Sequence, residues 1–171
     1  AKILFKNKYK PSFNKIKNVA DFSLSLDSIH RFSQYLTNSF LIDFLPRFSY
    51  SIKNQMQTAR KIYFVDNGMH NAIAFKFSGD MGKLLENTVY YHLKKQAKEV
   101  YYFHERQEVD FICKTGLKVT ELINVCYQLE NKETTLRETS ALIEAMKYFR
   151  LKESKIIVGE GESEKITMQG F

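Results

Sequence analysis

Glycine divides this chain into two parts. All seven glycines lie beyond residue 67, so the first third of the sequence contains none, whereas the remainder is punctuated by glycine turns. A change of composition of this kind predicts two structural units. We place their junction near residues 58 to 62, which gives a first domain over 1–58 and a second over 59–171.

Charge changes at the same place. Residues 1–61 carry 11 lysines and arginines against 3 aspartates, an excess of eight positive charges, although the net charge of the whole chain is +7. A basic excess confined to one segment is typical of proteins that bind nucleic acid, because lysine and arginine neutralise phosphates and release counterions. A solvated lysine-rich surface without such a partner is the alternative.

The overall composition indicates a chain that folds. It is 44% hydrophobic and 26% charged, with 14 phenylalanines and 10 tyrosines, which excludes a disordered tail or a collagen-like repeat. No apolar run reaches the roughly 18 residues of a membrane span, so we expect a cytoplasmic protein with no membrane partner. Cys113 and Cys126 lack the spacing of a disulfide framework or a zinc site. Because the sequence begins with Ala, we expect it to be part of a longer protein.

The first domain has the pattern of two short helices. The segment 11–20 places apolar residues at helical spacing with lysines on the opposite face. A second helix is expected to begin at Ser25 or Asp27, whose side chains can accept hydrogen bonds from free backbone N–H groups. Its predicted buried face consists of Ile29, Phe32 and Leu36.

A basic β-hairpin is predicted after these helices. Residues 40–45 form a strand that Pro46 stops, and residues 47–53 alternate as a returning strand would. Two helices with such a hairpin are typical of a winged helix, in which the second helix enters the major groove of DNA. The candidate phosphate contacts are Arg31, Arg47, Lys53 and Lys61.

The second domain is predicted to be α/β, a mixed sheet flanked by helices. Thr135 and Glu138 have the spacing of a capping box, which predicts the start of a helix that runs to about Arg150. The predicted elements are a strand at 61–66, a helix at 80–98, strands at 101–104, 108–113 and 119–129, the helix from Thr135, and a strand at 156–158.

Several polar residues of the second domain form a pattern with chemical meaning. Glu86 lies on the predicted helix, Asp110 on a strand, and Asn124 and Cys126 on the next strand. Phosphodiester hydrolysis uses carboxylates from separate elements to hold Mg²⁺, which activates water and polarises the phosphate. The sequence contains no phosphate-binding glycine loop, so we do not expect this chain to bind ATP.

Five motifs follow one another along the chain: Arg60 to Gly68, Leu84 to Asn87, Glu108 to Ile112, Ile123 to Tyr127 and Thr135 to Glu138. Together they resemble the C-terminal region of archaeal and bacterial AAA-type ATPases that is called domain of unknown function 4143. The resemblance covers nearly the whole chain and implies a winged helix followed by a restriction-endonuclease-like domain of the PD-(D/E)xK nuclease type.

The resemblance also assigns the site residues. Glu86 and Asp110 fall on the acidic positions that would bind Mg²⁺, while the (D/E)xK positions fall on Asn124 and Cys126. Asparagine can offer a carbonyl oxygen but no negative charge, and a neutral thiol cannot replace an ammonium beside a phosphate. We therefore expect a degenerate catalytic site that is inactive or strongly altered.

The leading functional prediction is a DNA-binding accessory region of a larger ATPase, with that ATPase domain as a partner. One alternative is an active Mg²⁺-dependent nuclease that uses Glu86 and Asp110, and another is a protein-interaction module that docks the ATPase or a different partner. Purely structural roles also stay open: Asp110 could pair with Arg137 or a lysine, and Glu86 could form a surface ion pair.

Overall fold

A computed structural model of the protein consists of two compact units, Ala1–Gly79 and Asp80–Phe171. The helix predicted over 11–20 lies outside the residues that the structure describes. The described residues are 25–69, 81–96, 98–129, 132–160 and 164–167.

The first unit contains a helix packed on a two-stranded antiparallel sheet. The two strands pair with Ile42 opposite Phe64, and the core of this unit forms between them and the helix, where Ile29 and Ile62 join the same two residues. Burial of these side chains drives the packing because apolar surface leaves water. The elements are α1 (Leu26–Asn38), β1 (Ile42–Leu45), α2 (Ile52–Gln57) and β2 (Lys61–Phe64).

The returning strand predicted over 47–53 is wrong. Ser51 instead caps α2, its hydroxyl accepting a hydrogen bond from the backbone N–H of Asn54, and the partner of β1 is β2. The alternation in 47–53 is short, and periodicity alone cannot identify which strand pairs with which. Because β2 pairs with β1, it belongs to the first unit, which ends at Gly79; the sequence placed the junction near residues 58 to 62.

Helix α1 begins after Ser25, as predicted, with the Ser25 hydroxyl accepting from the N–H of Ser28 at 3.0 Å. Its buried face differs from the prediction, since Phe32 is 54% exposed and Ser33 is buried beside Ile29. Ser33 can enter the core because its hydroxyl donates to the carbonyl oxygen of Ile29 at 2.8 Å. The predicted burial of Phe32 is therefore wrong.

The second unit contains a five-stranded mixed sheet flanked by helices, which confirms the predicted α/β class. The strand order is β3-β4-β5-β6-β7; β5 and β6 are parallel and the other neighbours antiparallel. No helix within the described residues is long and apolar enough to cross a membrane. The elements are α3 (Met81–Lys95), β3 (Glu99–His104), β4 (Glu108–Thr115), β5 (Lys118–Cys126), α4 (Lys132–Phe149), β6 (Glu153–Val158) and β7 (Glu164–Thr167).

The core of the second unit is centred on β4 and β5. Phe111 is fully buried, and Tyr90 of α3 stacks on it with 6.2 Å between ring centroids. Leu142 and Met146 of α4 are also fully buried. Gly116 adopts a φ of 60° in the turn between β4 and β5, a conformation that favours glycine.

The capping box predicted at the start of α4 is wrong. The helix begins at Lys132, so Thr135 already lies in its first turn, where its hydroxyl donates to the carbonyl oxygen of Leu129 at 2.9 Å. Glu138 is consequently one turn inside the helix. Its side chain is available for contacts with the sheet.

Candidate functional site in the second unit

A cleft of about 530 Å³ lies at the end of the sheet where β4 begins and β5 finishes. The start of α3 and the second turn of α4 complete its walls. Glu86 and Asp110, which the sequence predicted as site residues, both line it. Three basic and four acidic side chains are exposed to the cleft: Lys83, Arg106, Arg137, Glu86, Glu108, Asp110 and Glu138.

Asp110 and Asn124 join the ends of β4 and β5. The backbone N–H of Asp110 donates to Asn124 Oδ1 at 3.1 Å, and the N–H of Val125 donates to Asp110 Oδ2 at 2.9 Å. The paired register of these strands ends at Phe111 opposite Ile123. Beyond that pair, side-chain hydrogen bonds hold the strands together in place of the backbone ladder.

Asn124 also ties the sheet to α4. The side chain is completely buried, and its Nδ2 donates to Glu138 Oε2 at 2.7 Å and to the backbone carbonyl of Glu138 at 3.3 Å. Its amide oxygen therefore serves β4 and its amide nitrogen serves α4. The carbonyl oxygen that Asn124 was expected to offer a metal ion is already a hydrogen-bond acceptor for Asp110.

Glu138 is the site residue that the sequence reasoning missed. Its side chain is 14% exposed, and its Oε1 accepts from Nη2 of Arg137 at 2.8 Å. Burial raises the pKa of Glu138, and the nearby charge of Asp110 raises it further, against the opposing effects of Arg137 and Asn124. A signal was present in the sequence, because Glu138 precedes the buried Leu142 by four residues and so shares its helical face.

Cys126 is not among the described residues that line the cleft. Its thiol donates to the carbonyl oxygen of Gln128 at 2.9 Å. Burial raises the pKa of the Cys126 thiol, so the group stays neutral at physiological pH. It cannot supply the positive charge that the lysine of a PD-(D/E)xK site brings to the phosphate.

These residues do not fit a magnesium ion. Within the described parts of the chain, no three His, Cys, Asp or Glu side chains are grouped in a way that could hold a metal. One oxygen of Asp110 and the amide oxygen of Asn124 already accept hydrogen bonds from backbone N–H groups. Cys126, the third predicted site residue on these strands, is neutral. Mg²⁺ binds oxygen ligands in near-ideal octahedral geometry and favours carboxylates. Two of the four predicted site residues, Asn124 and Cys126, are neutral, and the described acidic side chains that line the cleft do not converge on one point as a group of three ligands.

The predicted phosphate contacts differ in their exposure. Arg31 and Lys53 are exposed, and Arg31 makes an exposed ion pair with Asp27 at 3.5 Å. Arg47 is half-buried. Lys61 is 5% exposed within β2, so it is far less accessible to a phosphate than the exposed Arg31 and Lys53. The continuous apolar run from Ile62 to Val65 is consistent with a strand buried on both faces.

Comparison with known proteins adds two matches. The model of a family described as "Domain of unknown function (DUF8612)" matches residues 7–80, a segment that ends one residue after the first unit. The uncharacterized protein MJ1544 of Methanocaldococcus jannaschii is 34% identical over 168 residues, which cover 92% of this chain and 36% of that relative. The chain thus spans about a third of the relative's length. No solved structure matches the chain significantly.

Proposed function

We propose that this chain is a DNA-binding accessory region of a larger ATPase and that its second unit is a nuclease-like domain with a degenerate active site. The observation that carries the proposal is the excess of eight positive charges over residues 1–61. The cleft of the second unit offers no comparable attraction, because its acidic side chains outnumber its basic ones. DNA binding therefore belongs to the first unit.

Helix α1 supports this role. Arg31, Gln34 and Asn38 are exposed on the side of the helix away from the buried Ile29. Polar side chains of this length can reach phosphates and base edges in a major groove. Together with the helix predicted over 11–20 and the antiparallel β1–β2 sheet, α1 would act as the recognition helix of a winged-helix variant.

The second unit supports a binding role without cleavage. Asn124 and Cys126 occupy the positions that carry charged residues in the nucleases that this chain resembles. The side chain of Asn124 forms hydrogen bonds with Asp110 and Glu138 of the same unit. The resemblance to AAA-type ATPases supplies the remaining part of the proposal, an ATPase domain outside this chain. A chain that spans 36% of its longer relative suits an accessory region.

The test of DNA binding is fluorescence anisotropy of a labelled duplex titrated with the chain. The variant Arg31→Ala/Lys53→Ala removes two exposed cations from the first unit, and Lys118→Ala/Lys132→Ala removes two exposed cations from the second. We expect the first variant to bind several-fold more weakly and the second to bind like the wild type. Equal loss in both variants would contradict the assignment of the interface to the first unit.

The degenerate site is tested by incubating plasmid and oligonucleotide substrates with Mg²⁺ or Mn²⁺. We expect no metal-dependent cleavage. Cleavage that disappears in Asp110→Ala would instead establish the active-nuclease alternative and overturn this part of the proposal.

A protein-interaction module is a second candidate, and the surface of α2 favours it. Ile52 and Met56 lie four residues apart on this helix, and both are exposed beside the exposed Tyr50. Contiguous exposed apolar side chains mark docking surfaces for proteins. Self-association measured by light scattering, lost in Ile52→Ser/Met56→Ser and accompanied by no affinity for DNA, would favour this candidate over the first.

A further inference from the structure

We propose that the aromatic residues exposed on α1 and in the turn that follows it bind unpaired bases, so that the first unit prefers single-stranded nucleic acid; this inference rests on the nucleic-acid-binding role proposed above. Three aromatic side chains within nine residues are exposed to solvent instead of packing in the core. Phe32 is 54% exposed, Tyr35 62% and Phe40 78%.

Phe32 and Tyr35 form one continuous face with a cation beside it. They are three residues apart on the helix, and their rings meet edge to face with 6.4 Å between centroids. Arg31 precedes Tyr35 by four residues and lies on the same side of the helix, with its side chain 63% exposed. The buried face of Ile29 and Ser33 lies on the neighbouring side, so this face is free of the core of the unit.

Phe40 has a backbone conformation that its side chain does not favour. Its φ is 54°, and it occupies the position after the C-cap of α1, where glycine is usual. The N–H of Phe40 donates to the carbonyl of Thr37, and the N–H of Leu41 donates to the carbonyl of Leu36, both at 3.0 Å. These two hydrogen bonds define a Schellman motif. Glycine would adopt the backbone conformation that this motif requires with less strain than phenylalanine does.

Neither core packing nor backbone geometry accounts for phenylalanine at position 40. The ring is the most exposed of the three aromatics, and its backbone is strained for a residue with a side chain. Strain of this kind is retained in proteins where a functional surface requires it. We therefore assign the function of Phe40 to its solvent-exposed ring.

Nucleic-acid bases are the ligand that fits both the rings and the charge. Exposed aromatic rings provide platforms on which unpaired bases stack without sequence preference, and basic residues hold the backbone. Bases inside a duplex are already stacked on one another, so their faces are closed to such rings. The excess of eight positive charges over residues 1–61 favours a polyanion over an apolar protein surface as the occupant.

The experiment compares labelled oligothymidine with a labelled duplex of the same length by anisotropy, using the whole chain. The variants are Tyr35→Ala and Phe40→Gly, and the matched control is Leu117→Ser, which removes a 91% exposed apolar side chain from the second unit. We expect each aromatic variant to weaken single-strand binding by about 5-fold to 100-fold. Duplex binding should change by less than about twofold, and the control should bind both ligands like the wild type.

The outcomes separate this inference from the function on which it rests. Unchanged single-strand affinity in both aromatic variants, with duplex binding intact, overturns the inference alone. Loss of self-association in Tyr35→Ala, measured by light scattering, also overturns it and assigns the face to a second copy of the chain. Absence of binding to either nucleic acid at low salt overturns the inference and the proposed function together. Thermal unfolding of Phe40→Gly shows whether that variant keeps its fold.

Discussion

Glu138 links the two halves of the candidate site at the scale of single residues. Its two carboxylate oxygens accept hydrogen bonds from Arg137 and Asn124, on a side chain that is almost buried. The sequence reasoning assigned Glu138 to a capping box with Thr135 and so overlooked the spacing of four residues that places Glu138 on the buried face of Leu142. Which of these contacts forms depends on where α4 begins, and packing decides that.

The raised pKa of Glu138 makes stability depend on pH. The folded-state pKa lies above the usual 4.5, so the ionised side chain costs stability above the folded pKa, and the cost disappears as the pH falls through it. Relative to Glu138→Gln, the wild type should lose thermal stability as the pH rises from 4.5, and the difference should then become constant. Circular dichroism melts between pH 4 and 8 measure it; a relative gain with rising pH would contradict the raised pKa.

The two thiols should be unreactive in the folded protein. Burial raises the pKa of Cys113 to about 11, with a further contribution from the charge of Glu121, and burial also raises the pKa of Cys126. A shift of two units leaves about 100-fold less thiolate at a given pH. We expect alkylation by iodoacetamide at pH 8 to be much slower in the native state than in urea at both sites, as followed by mass spectrometry. Native alkylation of Cys126 at its unfolded rate would show a thiolate beside the cleft.

At the scale of elements, two of the three long helices of the described chain, α1 and α4, end in the same way. Phe40 follows α1 and Arg150 follows α4, each with a positive φ of 54° or 55°, and each helix closes with the hydrogen bonds of a Schellman motif. Glycine avoids the contact between the Cβ atom and the backbone that this conformation forces on other residues. Phe40 and Arg150 therefore have the same backbone conformation, and the effect of a glycine substitution can be compared between them.

Substitution with glycine at either helix end should stabilise the protein. We expect Phe40→Gly and Arg150→Gly each to raise the free energy of unfolding by about 1 kcal/mol, as measured in urea. Arg150→Gly is the control for the general effect of glycine at this position. A loss of stability in Phe40→Gly alone would mean that the ring contributes packing and would remove the strain argument.

The elements that were predicted correctly are those whose ends are marked by residues near them in the sequence, such as a helix cap or a turn glycine. Ser25 supplied a cap for α1, and Gly116 supplied the turn between β4 and β5. The errors concern partners that lie far apart in the chain: residues 47–53 were assigned to β1 as its neighbour, whereas β2 takes that position. Alternation indicates a strand and its faces, but the choice of partner is made by tertiary contacts.

At the scale of the whole molecule, the two units have different chemistry. The first carries the whole positive excess of the chain and a row of exposed aromatic side chains, whereas the second holds a nearly balanced cleft whose polar residues bond to one another. The division of charge was evident from the sequence, since it requires only counting. The internal use of Asn124 was not, because it depends on the register of β4 and β5 and on the position of α4.

The most direct test of the account is the affinity of the chain for a labelled duplex at a series of salt concentrations. If the basic first unit binds phosphates, the logarithm of the affinity should fall linearly with the logarithm of the salt concentration, by about 0.9 for each phosphate contacted. In Arg31→Ala/Lys53→Ala, which removes two of these cations, the magnitude of that slope should be smaller by about 1.8. Affinity that is independent of salt, or no binding at low salt, would contradict the claim that the charge excess of residues 1–61 is a nucleic-acid interface.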